Sequence, residues 1–189
     1  MENKCYKEID YKLLDKKTVY KGQRIVVEEL HYENPRTNEV LYREHVLAGH
    51  AAIIMPVTEN GNLIMIREPR TPIQKTVLSF PAGMLEEGET PEEGAIRELE
   101  EETGYKARYI KKLREVYPEI AYSDEKTIIF LAKDFEKTQR HLDETEDIEV
   151  VEVPIEEAKK LLDSGDLKSS CEIVALLHYF MYEDNQKAL

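Results

Sequence analysis

Short apolar runs separated by polar turns predict several β-strands in the first part of the chain. Three of these runs, at residues 18–20, 24–31 and 40–46, precede residue 47. The segment at 34–38, Asn-Pro-Arg-Thr-Asn, has the composition of a hairpin turn. Three short strands bury little apolar surface by themselves. We therefore expect this N-terminal piece to pack on the main domain or on a second subunit.

A continuous apolar run at residues 51–57 predicts a buried strand, because strands covered on both faces lose the usual alternation. The turn at 59–62, Glu-Asn-Gly-Asn, and a second run at 63–67 predict that these two strands pair as a hairpin. Further strands are expected at 76–80, which runs into Pro-Ala-Gly, at 126–133 and at 148–153.

The best-defined helix start lies in the middle of the chain. Thr90 can cap this helix, Pro91 suits its first position and Glu93 completes a capping box, while Gly104 marks its end. The face expected to pack inward carries Ala95, Ile96, Leu99 and Thr103. Two more helices are predicted at 154–162 and 171–181. Strands and helices thus mix without regular alternation. This favours an α/β (α+β) fold with a mixed β-sheet sandwiched between helices over a doubly wound parallel sheet.

Composition and charge narrow the classes of function. A chain of 189 residues suits one domain, or one domain with a small annex, and a net charge of −13 argues against a broad nucleic-acid-binding surface. No apolar run approaches the roughly 18 residues of a membrane-spanning helix. Cys5 and Cys171 form no paired-cysteine motif, and the N-terminus has no apolar signal core. These features predict a reduced, soluble, cytoplasmic protein that binds neither nucleic acid nor membrane.

The candidate chemistry is concentrated in the helix that follows Thr90. Glu98, Glu101 and Glu102 project together, within an arc of about 100° on the helix surface. Like charges so placed repel, and a divalent cation with oxygen ligands would compensate them. Arg97, one turn before Glu101, could hold that carboxylate in place. The alternative is a solvated acidic helix. The Pro-Ala-Gly turn, the acidic loop and the capped helix start, found together, favour the cation site.

The segment at residues 83–105 resembles the Nudix box. That pattern is a glycine, five residues, a glutamate, seven residues, Arg-Glu, an apolar residue, one residue, Glu-Glu, one residue, a glycine and an apolar residue. Every fixed position matches, and only the last apolar position is loosely filled, by a tyrosine. The matching residues are Gly83, Glu89, Arg97, Glu98, Leu99, Glu101, Glu102, Gly104 and Tyr105. The resemblance implies a Nudix fold and hydrolysis of a diphosphate bond.

The same resemblance implies individual roles within the box. Glu98 and Glu102 would be the principal ligands of Mg²⁺, or alternatively of Mn²⁺, with Glu101 sharing the cluster. The Ala82 carbonyl would coordinate the same metals. Glu101 and Arg97 would also serve catalysis, Arg97 by orienting the glutamates through salt bridges. Structural roles would fall to Gly83, Glu89 and Gly104.

Beyond the box, most of the chain resembles bacterial ADP-ribose pyrophosphatases and related nucleoside-diphosphate-sugar hydrolases. The similar segments are Arg-Glu at 43–44, Gly-His-Ala-Ala at 49–52, Arg-Glu-Pro-Arg at 67–70, Phe-Pro-Ala-Gly at 80–83 and Ser-Asp-Glu at 123–125. The substrate contacts implied by this likeness are Arg24, Arg43, Arg70, Met84 and Glu125.

The acidic run at 144–147 resembles the mobile loop that supplies a catalytic glutamate in these enzymes. By position, Glu144 would be the general base and Glu146 a further metal contact. A base that activates water needs a movable carboxylate, which a loop provides. A solvated loop with no catalytic part is the alternative.

The same resemblance bears on the substrate and on the assembly. ADP-ribose is the first candidate, but two features depart from the enzymes that cleave it. Those enzymes usually carry a Pro-Gly pair before Ser-Asp-Glu, which the loop at 117–122 lacks, and their N-terminal region often offers a Trp or Phe that stacks on adenine, whereas this chain has no tryptophan. GDP-mannose or a dinucleotide is therefore the alternative substrate. A Nudix domain that senses a nucleotide without cutting it is a further alternative, although such proteins usually lose box glutamates. The resemblance also implies a homodimer, with residues 1–46 as a small antiparallel β annex used for dimerisation and 47–189 as the hydrolase domain.

Overall fold

The structure, a computed structural model, describes residues 7–183, so Cys5 lies outside the described residues. The chain divides into two compact units. The first comprises Met1–Ala48 and Glu119–Glu125, and the second comprises Gly49–Pro118 and Lys126–Leu189. The division into an annex at 1–46 and a hydrolase domain at 47–189 stays a prediction about how the chain works.

Ten strands and three α-helices make up the described part of the chain. The strands are β1 (Lys12–Lys21), β2 (Val26–Glu33), β3 (Val40–Leu47), β4 (His50–Pro56), β5 (Asn62–Arg70), β6 (Lys75–Ser79), β7 (Ala82–Met84), β8 (Tyr105–Val116), β9 (Lys126–Lys137) and β10 (Glu149–Pro154). The helices are α1 (Pro91–Thr103), α2 (Ile155–Ser164) and α3 (Ser170–His178), with a 3₁₀ turn at Thr71–Ile73 and a π-helical turn at Tyr179–Glu183. Among the described residues no helix is long and apolar enough to span a membrane.

The first unit contains an antiparallel sheet in the order β1-β2-β3. Its β2–β3 turn is closed where the Asn38 amide donates to the Asn34 carbonyl at 2.8 Å, and Asn38 adopts a left-handed φ of 57°. The predicted turn and the small antiparallel sheet are therefore present. All ten residues of β1 are exposed within the chain, so this strand contributes little to a core.

The second unit is built around a four-stranded mixed sheet in the order β7-β4-β9-β8, in which β4 and β9 run parallel and the other pairs antiparallel. Successive side chains of β4 face opposite sides of this sheet. Ile54 packs with Leu99 of α1 on one side, whereas Met55 packs with Leu176 of α3 on the other. Helices therefore cover both faces, which confirms the predicted fold class.

The expected β4–β5 hairpin is wrong. Residues on either side of the connecting turn share only an isolated bridge, between Val57 and Leu63. Both edges of β4 are occupied by β7 and β9, and β5 pairs instead with β10 and β6 in a separate three-stranded sheet. Strands β7 and β8 were not predicted, because β7 is only three residues long and β8 has a largely polar sequence with much of its length exposed.

Candidate active site

The start and end of α1 fix which of its side chains face the site. The Thr90 amide donates to Glu93 Oε2 at 2.9 Å, and the Glu93 amide donates to Thr90 Oγ1 at 3.3 Å, so the capping box is complete. At the other end Gly104 adopts a left-handed φ of 72°, and its amide donates to the Glu100 carbonyl. The predicted helix boundaries are confirmed.

Arg97 connects most of the polar groups on this side of α1. Its guanidinium pairs with both carboxylate oxygens of Glu89, at 2.9 and 3.0 Å. It also donates to Glu98 Oε1 at 2.8 Å and to Glu101 Oε2 at 3.0 Å. The Met84 carbonyl accepts a further bond at 3.1 Å. The hydrogen bond with Glu89 raises the pKa of Arg97 and lowers that of Glu89. A fixed positive charge thus holds the loop before α1 against the glutamates.

Two glutamates of the cluster are buried rather than solvated. Glu102 is 3% exposed, and its Oε2 accepts a hydrogen bond from the Ala82 amide at 2.9 Å. Burial raises the pKa of Glu102 to about 9. Burial also raises the pKa of Glu98, although the hydrogen bond from Arg97 opposes that effect. A solvated acidic helix would leave both carboxylates in water, so the simple alternative does not describe these residues.

Gly83 is required by the close approach of β7 to α1. A Cβ atom at Gly83 would lie 2.0 Å from Glu98 Oε1. The absence of a side chain at Gly83 therefore leaves the space in which the Glu98 carboxylate sits. Gly94, which lies outside the fixed positions of the box, also leaves necessary space, because a Cβ there would meet the Leu85 side chain at 2.5 Å.

The cluster is not closed into a metal-binding geometry as it stands. Within residues 7–183 no group of three or more His, Cys, Asp or Glu side chains is arranged to hold a metal ion. The glutamate carboxylates are instead hydrogen-bonded to other groups: Glu98 and Glu101 accept from Arg97, and Glu102 accepts from the Ala82 amide. The carboxylates that could bind a cation are nonetheless neighbours on one helix.

Glu68 is a neighbour of the cluster that sequence reasoning missed. Its Oε1 forms an ion pair with the guanidinium of Arg70 and accepts a hydrogen bond from the Ser79 hydroxyl at 3.1 Å. Its charge also contributes to the raised pKa of Glu102. Only the arginines of this segment were considered from the sequence. The available signal was a carboxylate between them at the end of a buried strand.

The acidic loop, defined here as residues 142–147, carries the two loop glutamates singled out from the sequence. Glu144 and Glu146 are both exposed. The charge of Glu146 contributes to raising the pKa of Glu98 and of Glu102, so Glu146 lies within electrostatic reach of the cluster. Glu146 is also tied within the loop, because its carboxylate accepts a bond from the Asp143 amide at 3.0 Å.

The other expected substrate contacts are divided between the units. Met84 is on β7 of the second unit and is 48% exposed. Arg24, Arg43 and Glu125 belong to the first unit. Arg24 is exposed in the bend between β1 and β2, Arg43 is exposed on β3 and donates to the Tyr42 carbonyl, and the Glu125 amide donates to Ser123 Oγ. Their contact with a substrate stays a prediction.

Comparisons with known proteins agree with the arrangement around α1. The NUDIX domain family model matches residues 48–172. The chain is 37% identical over 165 residues to the ADP-ribose pyrophosphatase of Bacillus subtilis (strain 168), covering 85% of this chain and 88% of that protein. It is 28% identical over 181 residues to the methanol dehydrogenase activator of Bacillus methanolicus, covering 91% and 96%.

The fold is also found among solved structures. A crystal structure of an ADP compounds hydrolase superimposes with a TM-score of 0.86 at 24% identity, covering 97% of this chain and all of the other. The family model spans well over half of the chain and the Bacillus subtilis relative is similar along most of its length. The chain therefore belongs to the Nudix family, as a hydrolase close to the ADP-ribose pyrophosphatases.

Proposed function

We propose that this protein hydrolyses the diphosphate bond of a nucleoside-diphosphate sugar in a Mg²⁺-dependent reaction, with ADP-ribose as its substrate and AMP and ribose 5-phosphate as products. The main support is the intact arrangement on α1, where Arg97 links Glu89, Glu98 and Glu101 beside the buried Glu102. The similarity to an ADP-ribose pyrophosphatase supports the choice of substrate.

The chemistry of these residues fits a hard divalent cation. Ionised carboxylates are costly to bury unless an opposite charge compensates them, and Glu98 and Glu102 are at most 9% exposed. Glu98, Glu101, Glu102 and the Ala82 carbonyl would supply the oxygen ligands that Mg²⁺ or Mn²⁺ prefers. When bound, the cation would neutralise the diphosphate and lower the pKa of a water molecule.

The remaining side chains would bind and orient the substrate. Arg97 would keep Glu98 and Glu101 in place through its hydrogen bonds. Arg70, whose guanidinium is half exposed beside Glu68, would bind a phosphate of the diphosphate. Glu144 would accept the proton of the attacking water, and Glu146 would add a further carboxylate to the cluster.

The proposal includes a homodimer and a small-molecule substrate. The apolar side chains exposed on β1, among them Leu13, Leu14 and Tyr20, support the dimer because a second subunit would remove them from water. Nucleic acid is not expected as a partner, since the net charge is −13.

One experiment tests the reaction and separates it from its alternatives. The protein is incubated with Mg²⁺ and, in turn, ADP-ribose, GDP-mannose and a dinucleoside diphosphate, and the products are identified by chromatography. ADP-ribose should be hydrolysed fastest, with no turnover in excess chelator. Faster cleavage of GDP-mannose or of the dinucleotide would make that compound, and not ADP-ribose, the substrate. Binding without cleavage of any of them would favour a Nudix domain that senses a nucleotide. Full activity in chelator would exclude the requirement for a divalent cation.

A further inference from the structure

The segment that precedes the acidic loop is bonded to the C-terminal end of α1. The Thr138 amide donates to the Gly104 carbonyl at 2.8 Å, and the His141 amide donates to the Glu101 carbonyl at 2.9 Å. Between them, Arg140 Nε donates to the Glu102 carbonyl at 2.6 Å. The last carbonyls of a helix have no partner within the helix, so these donors complete its end.

The charge of Arg140 suits this position. The last turn of α1 carries Glu100, Glu101 and Glu102 and contains no basic residue of its own. Negative side chains are unfavourable at the C-terminal end of a helix, where the helix dipole is also negative. The guanidinium of Arg140, a residue distant in sequence, supplies a compensating positive charge at the backbone of Glu102.

Arg140 makes a second contact at the far end of the acidic loop. Its Nη2 donates to the carbonyl of Ile148, the residue directly before β10. Ile148 is only 8% exposed, so this end of the loop is anchored in the core. One planar guanidinium therefore bonds both the end of α1 and the residue before β10. The acidic loop starts beside the first of these points and ends at the second.

We propose that Arg140 is a positioning residue that clamps both ends of the acidic loop and so holds its glutamates beside the α1 cluster. The catalytic consequence rests on the proposed function, but the hydrogen bonds that form the clamp need neither metal nor substrate. A lysine should hold the loop less well, because its donors sit on one nitrogen at the end of a flexible chain, whereas Arg140 bonds the two carbonyls from two nitrogens of one rigid plane.

The test compares Arg140→Lys with the matched control Arg108→Lys. Arg108 is an exposed arginine of β8 whose ion-pair partners, Glu136 and Asp134, lie on β9 and not in the acidic loop. Hydrogen–deuterium exchange of the full chain is measured without metal or substrate, and kcat and KM are then measured with Mg²⁺ and ADP-ribose. In Arg140→Lys, exchange of residues 142–147 should rise about fivefold or more, while β4 and β9 stay as protected as in the wild type.

The kinetic result should separate positioning from binding. We expect kcat of Arg140→Lys to fall about tenfold with KM changed less than about threefold, and Arg108→Lys to match the wild type. Unchanged loop exchange, or unchanged kcat despite faster exchange, would overturn the inference. Faster exchange throughout the sheet would also overturn it, since Arg140 would then be a general structural residue. If the wild type cleaves none of the substrates, the proposed function fails, yet the exchange result still decides the clamp.

Discussion

The carboxylate of Glu102 is held in a place that disfavours its own charge. It is almost fully buried, and burial raises its pKa to about 9. Glutamine has nearly the same shape and stays neutral, so it can accept the bond from the Ala82 amide without the cost of a buried charge. The residue is thus better suited to binding a cation than to stabilising the metal-free fold.

Glu102→Gln should therefore separate activity from stability. We expect hydrolysis to fall roughly 100-fold or more, which corresponds to about 3 kcal/mol of lost transition-state stabilisation. In excess chelator the Tm should equal or exceed that of the wild type. Both are measured on the same preparation by a product assay and a thermal scan. Near-wild-type turnover, or a metal-free protein that melts well below the wild type, would contradict this account of Glu102.

The two loop glutamates should differ in their effects on the kinetics. Glu144→Gln should lower kcat far more than it raises KM, because a base acts in the transition state. Glu146 acts electrostatically on Glu98 and Glu102, so Glu146→Gln should instead change the Mg²⁺ dependence. A silent Glu144→Gln together with a severe loss of kcat in Glu146→Gln would make Glu146 the base. Two silent variants would place the base elsewhere, among the box glutamates.

The Glu89–Arg97 pair should make part of the stability dependent on pH. The hydrogen bond from Arg97 lowers the pKa of Glu89, so its stabilisation is present above the unfolded value of 4.5 and is lost as the pH falls through the lower folded value. Glu89→Gln should lower the Tm by roughly 2–4 °C at neutral pH, the usual effect of losing about 1 kcal/mol in a chain of this size.

That difference in Tm should shrink as the pH falls below about 4.5, because Glu89 then takes up a proton first in the unfolded chain and, at a lower pH, in the folded protein as well. Glu87→Gln, which removes a charge from an exposed position in the same loop, serves as the control and should show no such trend. Thermal scans at several pH values measure both variants. A constant gap between wild type and Glu89→Gln would show that the ion pair does not contribute in this way.

Single residues were predictable where their partners are close in sequence. The Arg97–Glu101 pair follows from helical spacing, and the capping box is contained within four residues. Glu68 and Arg140 were missed because the residue on which both act, Glu102, is distant from them along the chain. Glu68 acts on Glu102, and Arg140 bonds the carbonyl of that same residue, 38 positions earlier.

At the scale of elements, α1 was predictable and the strand pairing was not. The helix carries its own start and stop signals, so its bounds follow from local chemistry. Strands β4 and β5 look like a hairpin because a Gly-containing turn joins two apolar runs, yet β4 pairs with β7 and β9. Pairing depends on which other strands compete for each edge, and that competition is not encoded in the turn.

The approach of β7 to α1 gives a test at this scale. Gly83→Ala would place a Cβ atom 2.0 Å from the present position of Glu98 Oε1, and the flexible glutamate would move. We expect activity to fall about tenfold or more while the Tm changes little, because the displaced group belongs to the site rather than to the core. A product assay and a thermal scan again provide the two readouts.

Gly61→Ala is the matched control for this substitution. Gly61 has a φ of +78°, and a Cβ atom there would meet nothing within 4 Å. An alanine is strained in that conformation, so Gly61→Ala should lower the Tm and leave kcat unchanged. If Gly83→Ala instead behaves like Gly61→Ala, then the exclusion of a side chain at Gly83 serves the fold rather than the position of Glu98.

For the molecule as a whole, the sequence predicted a sheet between helices but not how the first unit is completed. Residues 119–125 belong to the first unit although about 70 positions separate them from its last strand. The Val46 amide donates to the Tyr122 carbonyl at 2.7 Å, and the Ala48 amide donates to the Asp124 side chain. Such bonds follow from the path of the folded chain and have no local signal.

The exposed apolar side chains of β1 motivate the prediction about assembly. Leu13 and Leu14 are 46% and 45% exposed, and Tyr20 is 56% exposed, so β1 presents several large apolar groups that nothing else in the described part of the chain covers fully. We expect light scattering to give twice the 22.0 kDa chain mass. Leu14→Glu should weaken this dimer, whereas Tyr109→Glu, a similarly exposed position on β8, should not. A wild-type monomer with full activity would refute the dimer.

Mixing two inactive variants would show whether the first unit of one subunit completes the site of the other. If Arg43 acts across the dimer, each site uses Glu102 of one subunit and Arg43 of its partner, so in a mixed dimer Arg43→Ala and Glu102→Gln fall in the same site. Random exchange makes about half of the dimers mixed, and each mixed dimer then holds one site with neither substitution and one with both. Activity should therefore recover to about a quarter of the wild-type value after the subunits are exchanged. If Arg43 instead acts within its own subunit, every site in a mixed dimer carries one substitution, and mixing restores nothing.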